Sequence, residues 1–242
     1  MFGQGKSFDM LICEKMNFRP AEKWITRNRN WPDSKDIHIM KAQGCHIVPK
    51  PTSSRDETSW RLSFSKQEVY LSSLVPMPAR YSYMALKLIF KKFWKSKCRV
   101  LKSYHVKTWF YWFMESKKEE YWYKENPMYQ VFQLFEFFYE ELGKGTCKHL
   151  FIPEINLLSN DVMKDVLFVR KQLMNFISSE EKFEDTLLSH LDDANVMLYF
   201  TFNKDPSMEV HNRRLEENGQ RREESMIIGN QNTIEMQDFQ TQ

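Results

Sequence analysis

The sequence predicts an α+β fold that is mostly α, and three observations predict it. A period-two run, Trp60-Arg61-Leu62-Ser63-Phe64, sets apolar against polar residues as a half-buried strand does. Beyond it, apolar residues recur at helical spacing, most strongly in Arg80–Lys95, Leu101–Met114 and Pro127–Leu142. Finally, 242 residues with 42% hydrophobic and 15% aromatic content suffice for a sizeable core in one or two domains. Lys and Arg outnumber Asp and Glu by 35 to 32, so the overall charge of +3 selects no class of partner. Cys13, Cys45, Cys98 and Cys147 are far apart, form no Cys-x-x-Cys pair and follow no secretory signal. That pattern fits free thiols in cytosol or nucleus and supports no zinc site. No apolar run approaches the roughly 18–20 residues of a membrane helix, and Trp109–Met114 reads as a buried helix segment.

Taken in order, Phe8–Cys13 reads as a short strand with Asp9 near its start. Pro32–Gln43 reads as a helix with Pro in its first turn, Asp33 and Asp36 early, Lys41 late and Gly44 as its stop. Ile37 and Met40 supply its apolar stripe, with Ile39 as a further candidate. Cys45–Lys50 reads as a strand and Pro51–Glu57 as a loop, so Cys45–Lys50 and the Trp60 strand pair as a hairpin with Lys50 near Arg61. Ser65, with Glu68 three residues on, has the spacing of a capping box that opens a helix to Leu74, ended by Pro76 and Pro78. Apolar residues wrap most of Pro127–Leu142, the mark of a helix buried on several sides, and Gly143 and Gly145 end it. Leu150–Asn156 reads as a packed turn, Asp161–Phe176 as an amphipathic helix, and Glu181–Phe200 contains one more. Asp161/Asp165 and Asp192/Asp193 read as solvated helix faces. From about Asn203 polar residues dominate, and the segment reads as a disordered or loosely helical tail.

The polar side of the Trp60 strand joins the Arg61 guanidinium to the hydroxyls of Ser63 and Ser65 at a helix start. This chemistry suits a phosphate or another anion, and equally a plain solvated face. Lys87, Lys91, Lys92, Lys95, Lys97, Arg99 and Lys102 form a basic stretch, a candidate for phosphate backbones or again a solvated helix face. The six histidines have no Ser and Asp partners at informative spacing, and His105 reads as a structural hydrogen-bonding residue.

Five blocks occur in order: "WITRNRNWP" (24–32), "GCHIVPK" (44–50), "ETSWRLSFSKQE" (57–68), "LKSYHVKTWF" (101–110) and "HLFIPEINLLS" (149–159). Together they resemble the C-terminal half of the cyclic GMP-AMP synthase and Mab-21-like nucleotidyltransferases over roughly residues 9–176. The resemblance implies the helical HhH/H2TH-like lobe of a bilobal nucleotidyltransferase fold with a remnant of its catalytic sheet. It divides the chain into a sheet remnant at 1–64, a helical domain of five or six helices at 65–202 and a tail at 203–242. It further implies ATP or GTP with Mg²⁺ or Mn²⁺, Lys50, Arg61, Ser63, Ser65, Ser103 and Lys107 facing the nucleotide, and Tyr104 stacking on a base. Double-stranded nucleic acid is a second implied ligand, with Lys87, Lys91, Lys92 and Lys95 as its candidates. The zinc insertion of one branch looks absent, and Phe90 stands where the synthases carry a phosphate-facing Lys.

Asp9 matches the third metal carboxylate of that family, whose other two lie upstream as an acidic pair after a Gly-Ser turn. None of the eight residues before Asp9 is acidic. One carboxylate does not hold a pair of divalent ions, so the chain is expected to bind rather than to catalyse. A protein-binding scaffold built on the helices, or the back half of a longer active enzyme, are the alternatives.

Overall fold

The computed structural model describes residues 14–49, 60–98, 101–158, 163–178 and 180–202. Three short strands, β1 (Glu14–Met16), β2 (Cys45–Pro49) and β3 (Trp60–Ser63), form an antiparallel sheet in the order β1-β2-β3. Val48 lies opposite Arg61 and Pro49 opposite Trp60, so the expected hairpin is present. Asp9, Lys50 and the residues expected to form the first strand lie outside the described residues, as does the tail from residue 203. Between β1 and β2 stand α1 (Glu22–Thr26) and α2 (Ser34–Gln43).

Among the described residues eight helices follow β3: α3 (Ser65–Leu74), α4 (Met77–Ile89), α5 (Ser103–Ser116), α6 (Glu119–Lys124), α7 (Pro127–Gly143), α8 (Met163–Ile177), α9 (Glu180–Leu188) and α10 (Ala194–Phe202). A π-helical turn, Phe90–Trp94, extends α4. The mostly helical fold with a small sheet is therefore as the sequence predicts. The helix count exceeds the expected five or six for two reasons. The short α6 has only a six-residue apolar signal, and the stretch expected to hold one helix after Glu181 holds two. Asp193 divides them, its carboxylate accepting the backbone N–H groups of Asn195 and Val196 as the N-cap of α10. Asp165 accepts the Leu101 N–H (3.3 Å) and so is not merely solvated, whereas Asp192, 74% exposed with Lys92 at 2.8 Å, lies on the solvated surface expected of it.

Several boundaries moved for local reasons. Pro32 precedes α2, after a cis Trp31–Pro32 bond, and Asp33 is the N-cap. Ile37 and Met40 are buried, but Ile39 faces solvent. Gly44 ends α2 at φ 68°, and a Cβ there would stand 2.2 Å from the Met16 carbonyl oxygen, so this position admits only glycine. Pro78 lies in the first turn of α4, where its missing N–H costs nothing, so it opens that helix rather than closing α3.

One apolar core runs through the helices, with α7 at its centre. Phe132, Phe135 and Phe138 of α7 pack against Phe183, Phe176, Trp94 and Trp109. The sheet joins this core through rings: Phe64 stacks on Phe151 at 4.6 Å, and Phe18 and Trp24 pack edge-on around them. A buried polar fastening is Glu115, at the end of α5. The carboxylate accepts from Arg27 Nε (2.8 Å) and Nη2 (2.5 Å) and from Trp24 Nε1 (3.1 Å). Arg27 Nη1 donates to the Leu150 carbonyl (2.9 Å), and its guanidinium lies 3.9 Å from the Trp112 ring centre. Removing one partner of a buried pair strands the other's charge. Glu115→Ala is therefore expected to cost about 3–5 kcal/mol, whereas Glu120→Ala, on the exposed first turn of α6, changes stability by no more than about 0.5 kcal/mol. Urea unfolding of the two variants checks this, and equal midpoints would contradict it.

Candidate nucleotide-facing site

The two stretches that the sequence singles out, about forty residues apart, meet at one carboxylate. Glu68 lies one turn into α3. Its Oε2 accepts from Lys107 Nζ at 2.8 Å and its Oε1 from Tyr104 Oη at 3.4 Å, both from α5. The expected capping box is thereby replaced: the N-cap is Phe64, without a side-chain cap bond, and Ser65 is the first helical residue. A charge-assisted bond to an ammonium outweighs a bond back to the helix's own backbone, so Glu68 faces across. Tyr111 fixes the same pair of helices, donating to the Glu68 carbonyl (3.3 Å), with its hydroxyl 2.7 Å from Ser72 Oγ.

Arg61 and Ser63 lie on the outer face of β3, which the cross-strand register shares with His46 and Lys15. Those two residues thus stand on the candidate surface although sequence reasoning missed them; the register of a three-residue strand is what places Lys15 there. The Arg61 guanidinium is exposed and makes no hydrogen bond or ion pair with a described residue. Ser63 Oγ stands 3.2 Å from Ser65 Oγ, which joins strand end and helix start. Ser103 begins α5, and the Tyr104 ring is 38% exposed in an otherwise buried aromatic helix. Burial and then Glu68 push the Tyr104 hydroxyl well above its usual range, so it remains a protonated donor at neutral pH. Glu68, Tyr104 and Lys107 are in direct contact, and Ser63 with Ser65. Arg61 and Ser103 touch neither group directly.

His105 and His149 support this region rather than act in it. His105 Nδ1 accepts the Lys102 N–H (2.9 Å), its own N–H donates to the Lys102 carbonyl (3.0 Å), and Nε2 stands 3.3 Å from the Leu157 carbonyl. It therefore caps α5 as a neutral ring, the structural role expected of it. His149 Nδ1 accepts the N–H groups of Phe151 and Ile152. Among the candidate cations of α4 and its π turn, Lys87, Lys91 and Lys95 are exposed on one side, while Lys92 is engaged by Asp192 and the His190 carbonyl. Phe90 is buried. Cys45, Cys98 and Cys147 are free and buried, and burial raises the last to about 12, which leaves it an unreactive thiol. No group of three or more His, Cys, Asp or Glu residues among the described residues is placed to hold a metal ion. The described surface therefore does not fit the pair of divalent ions that phosphoryl transfer of this kind uses.

Two family models match the chain in the order of this architecture. The Mab-21 protein nucleotidyltransferase domain covers residues 10–71, and the Mab-21 protein HhH/H2TH-like domain covers residues 80–175. The chain belongs to the Mab-21 family. Its nucleotidyltransferase match takes in the sheet, α1, α2 and most of α3, and its HhH/H2TH-like match takes in α5, α6, α7 and nearly all of α4. The Glu68 contact thus joins the two matched parts of this Mab-21 chain.

Burial holds the His105 and His149 pKa values below the ordinary 6.5. The unfolded chain then binds protons that the folded one refuses. Their contribution is fully present above about pH 6.5 and is lost as pH falls below it. The urea midpoint should drop between pH 7.5 and 5.5, with a shallower drop in His105→Gln. A midpoint independent of pH across that interval would overturn the assignment.

Proposed function

We propose that this Mab-21 family chain is a nucleotide-binding protein whose ligand is a nucleoside triphosphate, ATP or GTP. The ligand spans the outer face of β3 and the first turns of α3 and α5. The observation that carries this reading is the meeting of Lys107 and Tyr104 at Glu68. In this reading the ammonium and the exposed ring of one helix share a ligand with the Arg61 guanidinium, unpaired among the described residues, and with the hydroxyls of Ser63 and Ser65. Arg61, Ser63, Ser65 and Ser103 supply donors to phosphate oxygens. Lys107 turns from the Glu68 carboxylate to a more highly charged phosphate, and Tyr104 offers a face to the base. Lys50, outside the described residues, belongs to the same reading by the resemblance of its sequence block alone. Mg²⁺ or Mn²⁺ accompanies the triphosphate in this reading, and Asp9 is the one carboxylate assigned to it. Transfer chemistry needs further carboxylates, so the reading is binding by this chain, not catalysis by it.

A second reading concerns nucleic acid. Lys87, Lys91 and Lys95 recur at four-residue spacing with exposed side chains, a row suited to consecutive phosphates. Its signature is a steep fall of duplex affinity with salt, weakened by charge reversal at Lys91.

For the first reading, a nucleotide at ten times its Kd adds about 1.4 kcal/mol, which raises the melting temperature by roughly 3–5 °C. Arg61→Ala or Tyr104→Ala should each abolish most of the rise without lowering the unliganded melting temperature by more than a few degrees. No rise with millimolar ATP or GTP would overturn the proposal.

A further inference from the structure

A concave site lies away from the β3 surface and the start of α5. It is a cleft of about 310 Å³ where three connections converge: residues 30–36 before and into α2, residues 73–80 between α3 and α4, and residues 117–123 at the start of α6. That size is at the lower end of ligand-binding clefts. Its aromatic lining is Trp31, Trp122 and Tyr123, and its charged lining is Asp33, Asp36, Glu119, Arg80 and Lys117.

The charges are not equally available. Asp36 accepts the Tyr70 hydroxyl (2.8 Å). The Arg80 guanidinium donates to the Val75 (2.7 Å) and Ser73 (2.9 Å) carbonyls, closing the end of α3. Lys117 Nζ lies over the Phe113 and Tyr121 rings at 4.9 and 4.6 Å. What remains is acidic: among the described residues, the carboxylates of Asp33 and Glu119 have no partner. Trp122 is only 2% exposed, yet its indole N–H has no acceptor. Aromatic rings and two unpaired carboxylates suit a planar cation carried on a peptide. The guanidinium stacks on the rings and pairs with a carboxylate.

The path of the chain supplies the occupant. Lys92 of the π turn reaches Asp192 just before α10, while Tyr81 stacks on Tyr199 at 3.9 Å near the end of α10. α10 therefore runs antiparallel to α4, and past Phe202 the chain emerges at the end of α4 that carries Met77 and Arg80, both lining the cleft. The sequence continues with Arg213-Arg214 and Arg221-Arg222 in an otherwise mixed polar segment. Ten residues lie between Phe202 and Arg213, eleven steps of chain that reach up to about 36 Å, and tethering makes the encounter intramolecular. We propose that the cleft is a guanidinium-binding site and that its occupant is this chain's own Arg213–Arg222 segment.

Full-length Arg213→Lys/Arg214→Lys keeps the charge and adds amines. Treatment with a carbodiimide, which joins an amine directly to a carboxylate it touches, followed by peptide mass spectrometry, reads the contact. Expected are intramolecular cross-links from residues 213 and 214 to Asp33 and Glu119, at least fivefold above those to other carboxylates. Adding Asp33→Asn and Glu119→Gln should remove them. In parallel, hydrogen exchange at residues 30–36 and 117–123 should quicken at least threefold in a full-length chain with all four tail arginines changed to Ser. Cross-links spread evenly over surface carboxylates, or exchange unchanged in the four-Ser chain, would overturn the proposal. Cross-links found only between two copies would replace the tail by a second molecule and overturn it as well.

Discussion

The ion pair between Arg27 and Glu115 is the constraint on which the rest of the arrangement depends. Two unlike charges taken out of water cost several kcal/mol each, and only good geometry repays that. Here the carboxylate receives two guanidinium bonds and an indole bond, and the remaining Arg27 donor finds the Leu150 carbonyl. Arg29 adds a third charge, its Nη1 3.7 Å from Glu115 and its guanidinium 4.3 Å from the Trp24 ring centre. Burial lowers its pKa to about 10, which leaves it charged at neutral pH. Three segments far apart in sequence therefore close on one another: the connection after α1, the end of α5 and the turn at Leu150. A core made only of interchangeable phenylalanines does not specify such a register; the directional bonds of Arg27 and Trp24 to Glu115 do.

The consequence for the candidate surface is rigidity from both ends of α5. Glu115 fixes the end of the helix against the unit that carries the sheet, and His105 caps its start. Between them, Tyr111 ties α5 to α3 through Ser72 and the Glu68 carbonyl. Tyr104 and Lys107 thus hang from a helix whose position relative to α3 is set by other residues. Changing either of them alters the surface without undoing the packing, which is what allows a binding role to be separated from a structural one.

Much of this was legible in the sequence because the signals are local. The β3–α3 unit follows from five alternating residues and a helix that begins at Ser65, and Gly44 announces the only conformation its position allows. The Arg61, Ser63 and Tyr104 surface was legible through ordered blocks rather than through any single pattern. What failed were inferences that needed a distant partner. Glu68 has the spacing of a cap, and nothing local reveals that Lys107 draws its carboxylate across to α5. Asp193 has the look of a solvated face until the break between α9 and α10 gives it a capping task. Lys15 and His46 reach the candidate surface through cross-strand register, which a three-residue strand does not advertise. The acidic cleft was invisible for the same reason, since its lining comes from three connections.

The contrast between the two glutamates explains how one helix is fixed at one end and, in the proposed reading, open to exchange at the other. The Glu115 side chain is 6% exposed and has three donors, two from a guanidinium and one from an indole that has no other acceptor. Releasing it leaves buried charges with nowhere to turn. Glu68 is 21% exposed and its lysine partner 28%, so water can take over either group when they part. The cost of opening an ion pair is the cost of what each member is left facing. A competing anion can displace Glu68 from Lys107 because both groups remain solvated, and it cannot displace Glu115 from Arg27. Exchange at this surface therefore leaves the fastening between sheet and helices intact.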